Sequence, residues 1–271
     1  MLVAQLTDLH IKRDGKPAYK KVDTLKCLRD AITHINQLIP QPDLVVITGD
    51  LVDFGTDEEY QLLIPELKKL VPPVKIVPGN HDHSEKLRSA CKGWVAFDAT
   101  EQCHFIHEDD KYRLLGIDTS VLGKPYGKVS KSGLAWLSEQ LKKSATIPTL
   151  LFMHHPPIKV GLEHMDVQNL LNSEELWETI GTYSNIKGIV AGHVHRPIFA
   201  TWHHLPVWIG PSHSHAVTLD LMPDAPSSFS LEPRAIQLFR LTTEGIASHI
   251  SYIADSDGPY PFFDTQNRLI D

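Results

Sequence analysis

The sequence predicts an α/β layered sandwich in preference to a purely parallel doubly wound sheet. Five short, continuous apolar segments have the length and β-branched content of buried strands, and each stops abruptly at a loop carrying Asp, Asn or His. Helical patterns alternate with the earlier segments. Beyond Pro197, short strands follow one another with no helix between them, which a doubly wound sheet does not allow.

The elements follow in order. LVAQLT at the start reads as a buried strand that stops at Asp8. A helix is expected from about Asp23 to Leu38, with Leu25, Leu28, Ile32 and Ile35 at helical spacing on one face. DLVVIT is a second strand, ending in the Gly49-Asp50 turn. Thr56 and Glu59 form a capping box for a helix that Pro65 should break or kink. VKIVP runs into Gly79-Asn80-His81-Asp82, where glycine would let the backbone turn sharply. Two strands are expected within His104 to Ile106 and Tyr112 to Ile117, then a helix near Ser132 to Lys143. TLLFM ends at His154-His155-Pro156-Pro157, and KGIVA ends at Gly192-His193-Val194-His195. FATW, LPVWIG, IQLFRL and SHISYI are the strands beyond Pro197.

Composition excludes several classes of function. A chain of 271 residues, 42% of them apolar, can bury a substantial core, and we expect one domain over 1–271. Within it, 196–255 is a candidate cap or oligomerisation element. A net charge of −7 argues against general affinity for a nucleic acid polymer, which depends on Lys and Arg neutralising phosphates. No window of about 18 consecutive apolar residues and no basic leader precede the fold, so no membrane partner and a cytoplasmic location are expected. Cys27, Cys91 and Cys103 cannot all pair and have no metal-ligand spacing, so buried free thiols are expected. The 16 histidines gather near Asp, Asn and Gly, which points to metal chemistry.

Ligand sites in open α/β sheets form where loops leave the carboxyl ends of strands. The loops carrying Asp8 and His10, Asp50, Asn80, His154, His193 and His195 should therefore meet. All seven are oxygen or imidazole donors, suited to divalent Mn, Fe, Co or Zn. Each motif alone has a bland explanation as a turn, a cap or a rigid strand exit. Five strand ends presenting donors together do not. In an extended segment, His193 and His195 would point to the same side.

The ordered set Asp8-x-His10, Gly49-Asp50-x-x-Asp53, Gly79-Asn80-His81-Asp82, His154-His155-Pro156-Pro157 and Gly192-His193-x-His195 resembles the calcineurin-like metallophosphoesterase superfamily. Asp57-Glu58-Glu59-Tyr60, the run from Phe152 and the Gly-Pro-aromatic tail are most similar to bacterial class III cyclic nucleotide phosphodiesterases and their glycerophosphodiesterase relatives. The resemblance implies two mixed β-sheets flanked by helices and two divalent metal ions. Asp8, His10, Asp50 and His195 would hold one, and Asp50, Asn80, His154 and His193 the other, with Asp50 as the bridge. Spacing alone leaves open whether His154 or His155 is the ligand; the family pattern selects His154. A metal-bridging hydroxide would attack phosphorus in line. Asn80 and His81 would face substrate, with His81 protonating the leaving oxygen. His213 resembles a further substrate-binding histidine, and a homodimer or a multiple of dimers is implied. Asp53 is expected to organise the Asp50 loop.

The expected reaction is hydrolysis of small phosphodiesters, 3′,5′-cyclic nucleotides first and glycerophosphodiesters as the alternative. Phosphoprotein phosphatases of the superfamily carry Arg-Gly after the second motif and Glu after Gly-Asn-His, where this chain has Phe54-Gly55 and Asp82. A noncatalytic scaffold is the alternative from another class, and it would show replaced donors. The basic stretch Lys12, Arg13, Lys16, Lys20 and Lys21 is either a solvated face or a guide for substrate. No cysteine follows Cys103, so the residues for an intersubunit disulfide found in the glycerophosphodiesterase relatives are missing.

Overall fold

The computed structural model describes residues 1–98, 101–254 and 256–270. Asp255, the outer boundary of the expected cap element, lies outside the described residues. In chain order the elements are β1 (Leu2–Leu6), α1 (Thr24–Gln37), β2 (Leu44–Thr48), α2 (Asp57–Leu67), β3 (Val74–Val77), α3 (Ser84–Ala90), β4 (Phe105–Glu108), β5 (Arg113–Gly116) and α4 (Lys131–Lys143). They continue as β6 (Thr149–Phe152), α5 (Glu163–Asp166), α6 (Ser173–Ile180), β7 (Ile186–Ala191), β8 (Ile198–Trp202) and β9 (Leu205–Ile209). β10 (Ala216–Val217), β11 (Phe229–Ser230), β12 (Ala235–Thr242) and β13 (Gly245–Tyr252) complete the fold.

One five-stranded sheet has the order β13-β12-β1-β2-β3, and one six-stranded sheet the order β4-β5-β6-β7-β9-β8. Both are mixed: β1, β2 and β3 run parallel while β12 and β13 are antiparallel to their neighbours, and β5, β6, β7 and β9 run parallel between antiparallel edges β4 and β8. The strand pattern explains the layers. In β2, Leu44 and Val46 face the other sheet while Val45 and Ile47 face helices; in β6, Leu150 and Phe152 face inward while Leu151 packs under helices. Strands buried on both faces must be continuously apolar, which is why periodicity two is absent from them. The inter-sheet core joins Val3, Val46, Val77, Phe105, Phe152, Val190 and Phe239. α1, α2 and α3 cover one outer face and α4 and α6 the other.

Helix ends follow local chemistry. Asp23 accepts from the Lys26 amide to start α1, and Thr56 with Glu59 completes the capping box of α2. Of the break or kink expected at Pro65, a break does not occur at that residue: α2 carries Pro65 within it and ends two residues later, at Leu67. Pro65 and Gln61 are both exposed, so the Gln61 carbonyl that loses its helical donor faces water.

The segment after Arg196 is distributed through the fold. β8, β9, β12 and β13 belong to the two sheets, and among the described residues the β10–β11 ribbon alone stands apart from them. Cys91 and Cys103 are buried free thiols, and burial first, then Asp82, pushes Cys91 up to about 12; Cys27 is only half-buried. Among the described residues no helix is long and apolar enough to cross a membrane.

Candidate active site

The parallel strands β1, β2 and β3 end on the same edge as β6 and β7, and their exit loops interlock. The Asp8 amide donates to the Gly49 carbonyl (3.0 Å), the His10 amide to the Asp50 carbonyl (2.9 Å), and the Gly192 amide to the His154 carbonyl (3.0 Å). Gln5, between the sheets, donates to Thr48 (2.8 Å) and to the Ala191 carbonyl (2.7 Å), tying β1 to both sheets directly beneath the loops.

Five of the seven donors hold left-handed backbone: Asp8 (φ 56°), His10 (47°), Asp50 (50°), His193 (72°) and His195 (57°). Each such residue costs about 1–3 kcal/mol, and strain of this kind clusters where geometry serves function. The left-handed turns also correct the extended reading of Gly192-His193-Val194-His195. The two imidazoles part company: His195 joins Asp8 and His10, and His193 joins His154 and His155. Gly79 is required for space and not for a turn, since its φ is ordinary and a Cβ there would overlap the Asp50 carboxylate.

The donors form two adjoining groups. In the first, Nε2 of His195 lies 3.3 Å from Oδ1 of Asp8 and 3.2 Å from Nε2 of His10. In the second, Nε2 of His154 lies 3.3 Å from Oδ2 of Asp50 and 3.1 Å from Oδ1 of Asn80. Asp50 Oδ2 also stands 3.7 Å from Nε2 of His10, so this carboxylate faces both groups. Surrounding atoms fix the ring orientations. The Thr48 carbonyl accepts from His154 Nδ1 (2.7 Å), and Asp53, itself paired with Lys12 (3.0 Å), lies 3.3 Å from Nδ1 of His10. Asp53 therefore orients His10 in addition to sitting beside the Asp50 loop. Asp82 braces that loop by accepting from the Leu51 amide (3.1 Å), the Gly79 amide (2.9 Å) and the Tyr60 hydroxyl (3.0 Å).

The electrostatics favour a cation. Burial opposes ionisation of Asp8, but His195 and His154 outweigh it and hold the carboxyl below the usual range. Burial is likewise outweighed at Asp50 by His154 and His81. Burial lowers His193 to about 3, with His154 adding to the effect, so its imidazole is neutral and able to bind metal. Nε2 of His193 is buried without a hydrogen-bond partner. Buried donors of this kind demand a partner, and two carboxylates, four imidazoles and an amide oxygen suit divalent ions. The residues present fit two such ions.

A cleft of about 400 Å³ opens over both groups and is lined by His10, Asp50, Asn80, His81, His193 and His195. His81 donates its amide to Asp50 Oδ1 (2.9 Å), and the Asp53 carbonyl accepts from its Nδ1 (2.8 Å). That leaves Nε2 for the cleft. A larger cavity, about 690 Å³, lies by Tyr112, Lys187 and Trp208 and contains none of the seven donors.

Residues 1–197 match the family described as calcineurin-like phosphoesterase. The chain belongs to that family.

Members of this phosphoesterase family are dinuclear metal-dependent, and the donor groups here could hold such ions. The chain is 44% identical to the probable glycerophosphodiester phosphodiesterase GpdQ of Arcobacter nitrofigilis over 100% of both chains. It is 29% identical to the 3′,5′-cyclic adenosine monophosphate phosphodiesterase CpdA of Haemophilus influenzae, over 84% of this chain and 80% of the other. A dimetal phosphatase from Danio rerio shares the fold, with a TM-score of 0.69 at 16% identity over 94% of this chain and 97% of that one.

Not every expected residue reaches the cleft of this phosphoesterase. His213 is fully buried with Nε2 3.4 Å from the Thr24 carbonyl, and it does not line the cleft. His215, two residues on, does, with its ring 4.6 Å from that of His195. Tyr19, Phe229, Met165 and Gln168 also line the cleft, and nothing in the sequence marked them. His155 is held at Nδ1 by Thr119 (2.8 Å), while its Nε2 is buried beside His154 and His193 without a hydrogen-bond partner. Of the basic stretch, Lys12 is engaged by Asp53 and Lys16 by Asp14, while Lys12, Lys16 and Lys20 line a second cavity that shares Tyr19 and His81 with the cleft.

Proposed function

We propose that this chain hydrolyses small phosphodiesters at a pair of divalent metal ions, with 3′,5′-cyclic nucleotides as first-choice substrates. The observation that carries the reading is the position of Asp50, whose Oδ2 faces His154 at 3.3 Å and His10 at 3.7 Å, between the two donor groups. Asp8, His10, Asp50 and His195 would hold one ion, and Asp50, Asn80, His154 and His193 the other. Mn, Fe, Co and Zn all suit such donors. When bound, two such ions supply Lewis acidity and lower the pKa of water.

The chain's own residues do the rest. Asn80 and His81 face the cleft, and His81, anchored through Nδ1, offers Nε2 to the departing oxygen. Hydrolysis forms a P–O bond to water oxygen and breaks the P–O bond to the alcohol, which takes its proton from His81. The retained donors argue against a noncatalytic scaffold. His213 would serve by supporting the Thr24 end of α1 rather than by touching substrate, and His215 takes the cleft position in its stead.

Glycerophosphodiesters are the second reading, favoured by the end-to-end 44% identity to a probable glycerophosphodiester phosphodiesterase. We also propose that 1–271 acts as one domain, with the β10–β11 ribbon as its cap-like part, and that it assembles as a homodimer or a multiple of dimers. Turnover of a panel of cyclic nucleotides, glycerophosphodiesters and phosphomonoesters by manganese-loaded protein tests the function. Absence of diester hydrolysis in the loaded protein rejects it.

A further inference from the structure

Tyr19 is an unusual residue to find where it is. It sits in a tight turn closed by the reciprocal Ala18–Val22 hydrogen bonds (2.8 and 2.9 Å), with φ 50°, and Lys20 follows at φ 57°. A bulky side chain in left-handed backbone is an outlier that persists only where the surroundings impose it. The turn aims the ring at the cleft, where Tyr19 remains 51% exposed. Phe229 on β11, far away in sequence, comes to meet it: the ring centroids are 5.0 Å apart at 32°.

The pair is linked to the donor groups by other rings. His215 touches Tyr19 (5.3 Å) and Phe229 (5.5 Å) on one side and His195 (4.6 Å) on the other. One imidazole therefore separates the first donor group from an aromatic wall. Burial, then Asp53, raises the Tyr19 hydroxyl to about 12, so the ring stays neutral and does not repel an anion. Ser227 and Ser228 line the cleft beside it and bring hydroxyl groups to its rim.

We infer that Tyr19 and Phe229 form a stacking wall for a planar substituent of the diester, which makes them the residues that select base-bearing over purely aliphatic substrates. This rests on the phosphodiesterase reading above. A phosphate held at the donor groups puts its ester substituent one ring away, where Tyr19 and Phe229 line the cleft with aromatic surface. Stacking tolerates any base because every base has a π-face. Tyr19 packing merely to fasten the ribbon would affect all substrates alike.

The test uses metal-loaded full chain with two matched substrates, 3′,5′-cyclic AMP and the methyl ribofuranoside 3,5-cyclic phosphate that lacks the base. Wild type should favour the base-bearing diester in kcat/KM, and Tyr19→Leu should lower that ratio by about ten- to a hundredfold, the range for loss of one stacking partner. Tyr19→Phe should retain it, and Phe229→Leu should lower it in the same sense. Independently of any variant, adenosine should inhibit wild type competitively where ribose does not. Equal kcat/KM for the two substrates in wild type, or an equal loss on both in Tyr19→Leu, overturns the stacking wall alone. Failure to hydrolyse these and glycerophosphodiesters overturns the diesterase reading and the wall with it.

Discussion

Nε2 of His10 and Nε2 of His195 face each other across 3.2 Å in the buried floor of the cleft. Two imidazole nitrogens meeting in this way either share a proton or set lone pair against lone pair, and a cation between them removes the conflict. Stripping the protein with a chelator should therefore destabilise it. An ion present at a hundred times its Kd contributes about 2.7 kcal/mol. At about 2–4 °C per kcal/mol for a chain of this size, Tm should fall by about 5–10 °C and recover on adding Mn²⁺. A Tm insensitive to chelator and to added metal contradicts the assignment.

Asp50 faces both donor groups, whereas His154 belongs to the second. Asp50→Ala should lose metal from both positions, while His154→Ala should chiefly weaken one. Elemental analysis of the purified variants decides it: two ions retained per chain in Asp50→Ala would remove the bridge.

His81 touches the cleft and donates only its amide to Asp50. Burial disfavours its imidazolium, but Asp50 and the Asp53 carbonyl outweigh that and raise its pKa, as suits a proton donor. His81→Ala should keep its metal content and lose roughly ten- to a thousandfold in kcat. Loss of metal in this variant would instead make His81 a ligand or a brace for Asn80.

Part of the acid sensitivity should originate outside the site, at His104. His104 is buried, stacked on Trp136 (4.3 Å, 16°), and its Nδ1 accepts the Asp118 amide (3.0 Å). Burial lowers it to about 4, against the opposing pull of Asp118 and Asp98. Below about pH 6.5 the unfolded chain takes up a proton that the folded one refuses. The stabilisation is thus complete above about pH 6.5 and is lost as pH falls towards 4, amounting to about 3 kcal/mol. Denaturant unfolding of His104→Asn, which keeps an acceptor for Asp118, should give a pH slope in this window shallower by about 1 kcal/mol per unit. Slopes parallel to wild type would clear His104.

What was legible in the sequence is what local chemistry controls. An apolar strand that stops dead at Asp8 or His154 announces both the strand and the loop donor, and Thr56 with Glu59 announces a helix start. The mixed sheets followed from the helix-free run beyond Pro197. Other features depend on contacts the sequence does not reveal. His213 and His215 differ by two residues in an irregular turn with no period to separate them. Tyr19 meets Phe229 only because the β10–β11 ribbon brings them together. The split between His193 and His195 follows from left-handed backbone that periodicity two cannot anticipate. α3 leaves little mark on the sequence because it buries a single residue, Leu87, and has no side-chain cap.

Diester preference is the most direct test. A phosphate diester carries one negative charge, whereas a monoester carries nearly two and exposes an extra oxygen that needs a cationic partner. Phosphoprotein phosphatases of the family pattern meet that need with an arginine where this chain has Phe54, a residue 67% exposed with Lys12 packed over its ring. The comparison is kcat/KM for bis(p-nitrophenyl) phosphate against p-nitrophenyl phosphate, with the same metal at the same pH, so that the leaving group is identical. A diesterase gives the higher value with the diester; a higher value with the monoester would identify a phosphatase and contradict the proposed function.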